Sequence, residues 1–547
     1  MPEKKELSFM KEKIQQYWKT KPLQVIIIMA LLVRLLAAVF SQGYGMHDDH
    51  FLVIEASQSW ADGTDYNDWL PKTQKAINPN IEPVPAGHSF FYVGLHYLGF
   101  SFFKAVGIED PKIKMFLIRL LHALFSLIVV YFGYKITERL SNQKYARQVG
   151  VILAVLWVMP FLSVRNLVEV TCIPFLMLGC WQVIIAEPGQ RLNWHHFLAG
   201  LLMGLAFSIR FQSAFFIVGM GIFVLISNVF KKSGNPISTV NLFAFLFFSA
   251  GLIISIVAIQ GIVDGIIWHR PFAELTEYVR YNILHKYDYG SNSLEMYFLI
   301  LMGLLIPPIG IFLFFGFLTT WKKYAILFIP TIIFFAFHLY FPNKQERFII
   351  PIFPFIIILG IMGWNEWVEK SKFWQKNQGF LKACWIFFWI VNLILLPVFT
   401  FTYSKRSRIE AMYYFYKKEP VKQILVEDTN RDNVIMLPNY YSGHWMVNYL
   451  LGKAHPEDSL KAGQIKDDKH YYKALYDKRY FSIHPEYSPA YVLFIGDKKL
   501  VERVAGLKPI FPKLTFQKKV ESGFIDKVLF KLNPVNKNED IFIYCNL

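Results

Sequence analysis

Eleven apolar stretches, at residues 22–42, 113–135, 147–164, 168–186, 195–210, 211–229, 237–265, 296–319, 323–342, 346–366 and 380–403, leave this chain little freedom in how it folds. About 20 apolar residues carry a helix across the hydrocarbon core of a bilayer, and in lipid only a helix or a closed barrel satisfies every backbone N–H and C=O. Of 547 residues, 54% are hydrophobic and only 18% charged. The expected fold is therefore an α-helical polytopic membrane protein with about 11–13 transmembrane helices. The two short runs flanking Arg210 suit either two crossings or one bent pair. A further run, Gly87–Val106, carries His88, Tyr92 and His96, which suits a re-entrant or interfacial helix better than a span.

The formal charge of +17 does not point to nucleic acid, because Lys and Arg concentrate in short loops between apolar runs. The Lys-rich segment 1–21 followed by 22–42 reads as a cytoplasmic N-terminus and an uncleaved signal anchor. Eleven crossings then place Lys135, Arg139, Lys144 and Arg147, Lys231 and Lys232, Lys322 and Lys323, and Lys370 to Lys382 on the inner side, as the positive-inside rule requires. On this reading the membrane domain is 22–403, with outer loops at 43–85 and 266–295. The polar tail 404–547 is a small soluble α/β domain on the outer side, with strands expected in the runs from Val434, Ala490 and Ile541. Three of the four cysteines lie in apolar runs, which fits neither a disulfide framework nor a metal site.

The loop after the first apolar run places Asp48 and Asp49 between His47 and His50, and on an α-helix Glu55 shares a face with Asp48. Adjacent acids point about 100° apart on a helix, so one of the two is the candidate general base for an acceptor hydroxyl and the other positions it. A solvated loop is the plain alternative. Lys344 and Arg347, three residues apart before a span, have the chemistry of a phosphate clamp, although interfacial anchoring explains such residues as well. The loop 266–295 offers His269 and Arg270 to a phosphate, and Tyr281, Asn282, Tyr289 and Gly290 to a sugar; an amphipathic surface helix has the same composition. Within apolar surroundings Arg119, Arg210 and Glu169 stand out, with Arg165 at a boundary. Pairing of Glu169 with an arginine is as good a reading as catalysis.

Three of these stretches resemble glycosyltransferase family 22, the lipid-phosphate-mannose-dependent mannosyltransferases of N-glycan and GPI-anchor assembly. The family's His-Pro-Asp-Glu loop is similar to Met46, His47, Asp48 and Asp49, with Phe51 and Glu55 beyond. Its His-Lys-Glu-x-Arg-Phe is similar to Asn343, Lys344, Gln345, Glu346, Arg347 and Phe348, with Pro351 and Pro354 following. Asp264, Tyr281, Asn282, Tyr289 and Gly290 resemble a third motif, and Met436 to Pro438 with Tyr441, Ser442 and His444 a fourth. Met46, Asn343 and Gln345 depart from the family's His, His and Glu.

The resemblance implies the GT-C fold and an inverting transfer of a sugar, mannose in the family, from a polyprenyl-phosphate donor to a hydroxyl of a lipid-linked or surface glycan. It implies Asp48 as the base, with Asp49 beside it. Lys344 and Arg347 become donor-phosphate ligands. Beside them, His269 and Arg270 are candidates for the donor phosphate, and His47, Glu55, Arg210, Tyr281, Asn282 and Tyr289 candidates for acceptor or sugar. The expected partners are the polyprenyl-phosphate-sugar donor, a glycan or glycolipid acceptor and membrane lipids, with no nucleic acid. No cofactor is expected: a divalent metal is compatible with scattered acids but is not indicated. The expected location is a bacterial inner membrane rather than the endoplasmic reticulum, with the site on the extracytoplasmic or lumenal side. The alternatives keep the fold with another donor sugar, or with a protein or lipid A acceptor, or make the chain a transporter of polyprenyl-linked glycans. The sequence lacks the repeated halves a transporter would carry.

Overall fold

A computed structural model describes residue 13 and residues 15–186, 194–227, 241–288, 293–533 and 538–546. Lys231, Lys232, Tyr289, Gly290 and most of the N-terminal segment 1–21 lie outside the described residues. All eleven apolar stretches carry helix, but not all are full spans. Among the described residues six helices have the length and hydropathy to cross a membrane: Pro22–Phe40, Pro111–Leu140, Val168–Ile185, Leu242–Trp268, Glu346–Lys370 and Gln378–Thr400. Met296–Leu304 and Ile309–Thr319 would make a seventh, but they meet at 116° across Pro307 and Pro308. Trp194–Ile209, Phe211–Ile226 and Ala325–Tyr340 hold 10–17 residues, and at about 1.5 Å per residue they fall short of a roughly 30 Å core. By length and composition, six or seven spans are thus full-length among the described residues.

The remaining stretch, 147–164, is interrupted. Helix Gln143–Val155 stops and Val158–Ser163 restarts because Pro160 has no N–H to give the Leu156 carbonyl and its ring crowds that group. The freed backbone groups find side chains instead. Asn392 donates to the Val155 carbonyl at 2.9 Å and accepts from Trp157 N at 2.8 Å. Arg34, fully buried, donates to the carbonyls of Leu153 at 3.1 Å and Ala154 at 3.0 Å, and to Ser126 Oγ at 2.9 Å. An irregular backbone is tolerated in apolar surroundings only with such replacement donors and acceptors.

The chain divides into two compact units. Unit one comprises 1–39, 86–91 and 119–401; unit two comprises 40–85, 92–118 and 402–547. The first loop, placed by sequence with the membrane domain, therefore groups with the tail. The run Phe90–Ala105, which from Tyr92 on belongs to unit two, forms a 16-residue helix whose Leu95, Leu98 and Phe102 are exposed.

The tail folds on a seven-stranded mixed sheet of order β3-β4-β2-β1-β5-β7-β6, with β1 Gln423–Glu427, β2 Val447–Leu451, β3 Ile465–Asp468, β4 Tyr472–Leu475, β5 Tyr491–Ile495, β6 Thr515–Val520 and β7 Ile541–Cys545. The central strands β4, β2, β1 and β5 are parallel, and β1 and β5 are apolar on both faces as a covered parallel sheet requires. The runs from Ala490 and Ile541 supply β5 and β7. The run from Val434 does not form a strand: it is irregular up to Pro438, which cannot donate to a ladder, and then turns tightly through Asn439–Ser442.

Candidate active site

The acidic stretch of unit two begins at a forced turn. Gly43 has φ +84°, and a Cβ there would lie 1.9 Å from the Ser404 carbonyl oxygen, so only glycine fits. Ser404 N donates to the Gln42 carbonyl at 3.0 Å, and Lys405 Nζ donates to the Gly45 carbonyl and sits 4.2 Å from the Tyr44 ring centroid. From this anchor the chain enters a helix whose residues Asp49–Glu55 are π-helical, before Ala56–Ala61 returns to α geometry. Bonding from i to i+5 gives a wider helix, so seven residues no longer make two whole turns and the expected shared face of Asp48 and Glu55 is lost.

Burial separates the acids. Asp48 is half-buried at the head of the π stretch, whereas Asp49 is 4% exposed and Glu55 fully enclosed. Glu55 accepts hydrogen bonds from Tyr440 N at 3.0 Å and the Tyr472 hydroxyl at 3.3 Å, so it holds the sheet domain rather than facing a sugar. Burial pushes its carboxyl up to about 8. His50 Nε2 lies 3.7 Å from Glu55, but its ring is stacked between Tyr44 and Tyr441, and burial holds it well below the usual histidine range, so it is neutral. His47 is exposed and stacks on Phe51 at 4.2 Å.

In unit one, Lys344 and Arg347 are each 7% exposed, which removes the interfacial-anchor alternative. They do not share a helix face either. Gln345 is extended, and the 3-10 turn Glu346–Ile352 begins only after it, leading into the Pro351 and Pro354 helix start. Arg347 donates from Nε to Gln345 Oε1 at 3.0 Å and lies 3.6 Å from Glu169 Oε1. Arg210 Nη2 approaches the same Glu169 oxygen at 3.0 Å and donates to Gln212 Oε1 at 2.7 Å. Both guanidiniums lie over the Phe348 ring, at 5.1 Å for Arg210 and 5.8 Å for Arg347. Glu169, fully buried, is thus the carboxylate that fixes two arginines. Around them Arg210 Nε, Ser213 Oγ, His338 Nε2 and Asn343 Oδ1 are buried with no hydrogen-bond partner among the described residues.

Not every expected contact joins this group. His269 and Arg270 are exposed on the turn after Trp268, where His269 is left-handed, and Tyr281 is exposed against His285. Asn282 donates to its own helix at the Tyr278 carbonyl, 2.8 Å away. Asp264 is buried and structural: it accepts from Gln260 Nε2 at 2.9 Å and from Glu274 N at 3.0 Å, pinning the start of helix Ala273–Leu284. Glu274 in turn accepts from Gly87 N at 2.6 Å and His88 N at 3.1 Å, and burial pushes it up to about 8. Among the described residues no group of three or more His, Cys, Asp or Glu has the arrangement of a metal site.

The sequence matches the Alg9-like mannosyltransferase family over residues 25–446. The chain belongs to this family. It is an integral membrane glycosyltransferase of mannosyltransferase type, with the GT-C fold. Its structure is similar to ArnT from Cupriavidus metallidurans bound to undecaprenyl phosphate, with a TM-score of 0.58 and 13% identity over 96% of this chain and 98% of that one. Apo ArnT gives a TM-score of 0.57 at 13% identity, covering 97% and 98%. The oligosaccharyltransferase of Archaeoglobus fulgidus, in its complex with Zn and sulfate, gives 0.49 at 12%, covering 88% and 69%. No curated protein sequence matches the chain.

Gln212, Ser213, His338 and Tyr278 of the arginine group were not singled out by sequence. Gln345 was read only as a departure from the family's Glu, yet its amide takes the Arg347 Nε–H that a Glu would take with a charge. Tyr278, rather than Tyr281, packs against Phe211 at 5.2 Å and hydrogen-bonds Gln212. Its spacing of four from buried Glu274 was the available signal.

Proposed function

We propose that this mannosyltransferase-family member is an inverting enzyme that moves mannose from a polyprenyl-phosphate donor to a hydroxyl of a lipid-linked or surface glycan, on the extracytoplasmic side of a bacterial inner membrane. The observation that carries the reading is the pairing of Arg210 and Arg347 with the buried Glu169 beside the Phe348 ring, with Lys344 buried three residues before Arg347 and nearby buried polar atoms that have no partner among the described residues. Buried polar groups are nearly always hydrogen-bonded, and a phosphate and sugar supply acceptors and donors of the required kind. The undecaprenyl phosphate bound to the structurally similar ArnT supports a lipid-phosphate donor.

Asp48 is the base: of the acids at the head of the π stretch it alone keeps partial access to solvent, while Asp49 beneath it is a positioning residue. A single displacement requires only that Asp48 take the proton of the attacking hydroxyl as the C–O bond to the anomeric carbon forms. The lipid phosphate leaves with the bonding pair and needs no acid, because its charge is met by the guanidiniums and Lys344. Nothing in this sequence of steps calls for a metal, so chelation should leave the rate unchanged.

The test is transfer of radiolabelled mannose from polyprenyl-phosphate-mannose to lipid-linked acceptors in membranes carrying the wild type or Asp48→Asn. The swap keeps shape and removes the base, and should cost about 100-fold or more. Equal transfer by both proteins rules out Asp48, and no transfer by the wild type rules out the mannosyl donor.

A further inference from the structure

Unit two holds a polar cavity that none of these roles uses. It encloses about 300 Å³ and lies where the first loop, residues 104–114 and the turn after Pro438 come together. One wall is a chain of hydrogen bonds. Lys114 Nζ donates to Gln58 Oε1 at 3.1 Å, Gln58 Nε2 donates to Asp62 Oδ1 at 3.0 Å, and Trp445 Nε1 donates to Asp62 Oδ2 at 3.0 Å. Lys114 is 8% exposed although it is a lysine, and it uses one of its three N–H bonds on Gln58. Across from it, His444 presents a buried Nε2 with no partner among the described residues.

The other walls are aromatic: the rings of Tyr416, Tyr440 and Trp445 line the cavity. Trp445 is held by stacking on Tyr66 at 5.6 Å, which fixes the indole plane. Gly443, at φ +75°, brings its backbone so close to Tyr416 that a Cβ would lie 2.7 Å from the ring. A side chain at 443 would push that wall inward.

The charges that line the cavity balance, Lys104 and Lys114 against Asp62 and Glu109. A phosphate or carboxylate ligand would gain nothing net from them, and an acyl chain would offer nothing to the His444 Nε2 or to the Lys114 N–H bonds not used on Gln58. What matches alternating donors and acceptors beside flat apolar rings is a neutral saccharide, whose hydroxyls both give and accept and whose C–H faces lie on aromatic planes.

We propose that this cavity binds an internal neutral sugar of the acceptor glycan and so selects acceptors longer than one residue. The proposal rests on the transferase reading for the word acceptor. Gln58 is ten residues beyond Asp48 on one continuous helical segment, on the order of 15 Å away along its axis, too far for the bound sugar to be the one attacked. The cavity therefore measures the acceptor at a distance from the reaction.

The experiment is saturation-transfer NMR on the full-length protein in detergent, with mannotriose, maltotriose and lactotriose as probes. Wild type and Asp48→Asn should both transfer saturation to ring protons of at least one probe. Lys114→Met and Trp445→Ala should each weaken that affinity tenfold or more, with Lys114→Arg and Trp445→Phe recovering most of it. In the transfer assay the same two losses should raise KM for oligosaccharide acceptors while leaving a monosaccharide acceptor unchanged. Absence of binding by all three probes overturns the proposal, as does binding undiminished in both loss variants. If the probes bind as expected but the wild type transfers no mannose, the transferase reading fails and the sugar cavity stands.

Discussion

Glu55 gives up all contact with solvent, and its carboxyl is pushed up to about 8 against 4.5 for the free group. At low pH the folded and unfolded states both hold the proton. Between those two values the unfolded chain ionises while the folded one keeps its proton, so stability is fully present below about 4.5 and is lost as pH rises toward 8. Melting of the purified protein should fall across that window, and Glu55→Gln should flatten the fall, leaving the smaller slope that Glu274 contributes. A wild-type melting temperature independent of pH would show that Glu55 is not held neutral. In unit one, Arg347→Leu should lower kcat/KM for the donor about 100-fold or more, while Arg270→Ala, exposed on its turn, should change it less than about threefold. Steady-state transfer with varied donor separates the two.

The break between Gln143–Val155 and Val158–Ser163 shows how an element is held where its own hydrogen bonds fail. Asn392→Leu removes both replacement bonds at once and should cost about 2–5 kcal/mol, seen as a lower melting temperature in detergent with donor KM unchanged. The apolar runs were legible because lipid leaves the chain only helices to choose from, and β5 and β7 because short apolar strands bounded by turns read plainly. The π-helical turn of Asp49–Glu55 was not, since its face assignment depends on the bonding pattern and not on residue spacing. Nor was the role of Glu169: sequence showed a charge in an apolar setting, but which arginine it meets depends on how helices 168–185, 194–209 and the 346–352 turn pack. Burial of Lys344 and Arg347 was beyond sequence for the same reason. The exposure of His269, Arg270 and Tyr281 could not be read from sequence either, because a loop rich in His, Arg and Tyr looks alike whether it turns inward or outward.

Unit two is assembled from three separated segments, and the first loop is fastened to the tail through Glu55 with Tyr440 and Tyr472, Asp62 with Trp445, and Asp68 with His470. Truncation after Phe401 should therefore leave 40–85 open to protease, with cleavage between Asp62 and Pro85 in the truncated protein and protection in the intact one; equal resistance would mean that the loop folds unaided. This closure also sets a timetable. Glu55 and Tyr440 lie 385 residues apart, and at about 5–20 residues per second a ribosome needs roughly 20–80 s to travel between them. During that interval the helices of unit one that follow Pro22–Phe40 are being made while the acid-bearing loop still lacks the tail that packs it. A nascent chain thus occupies the membrane before its acid-bearing loop is packed: Glu55 meets its partners only once Tyr440 and Tyr472 have been made.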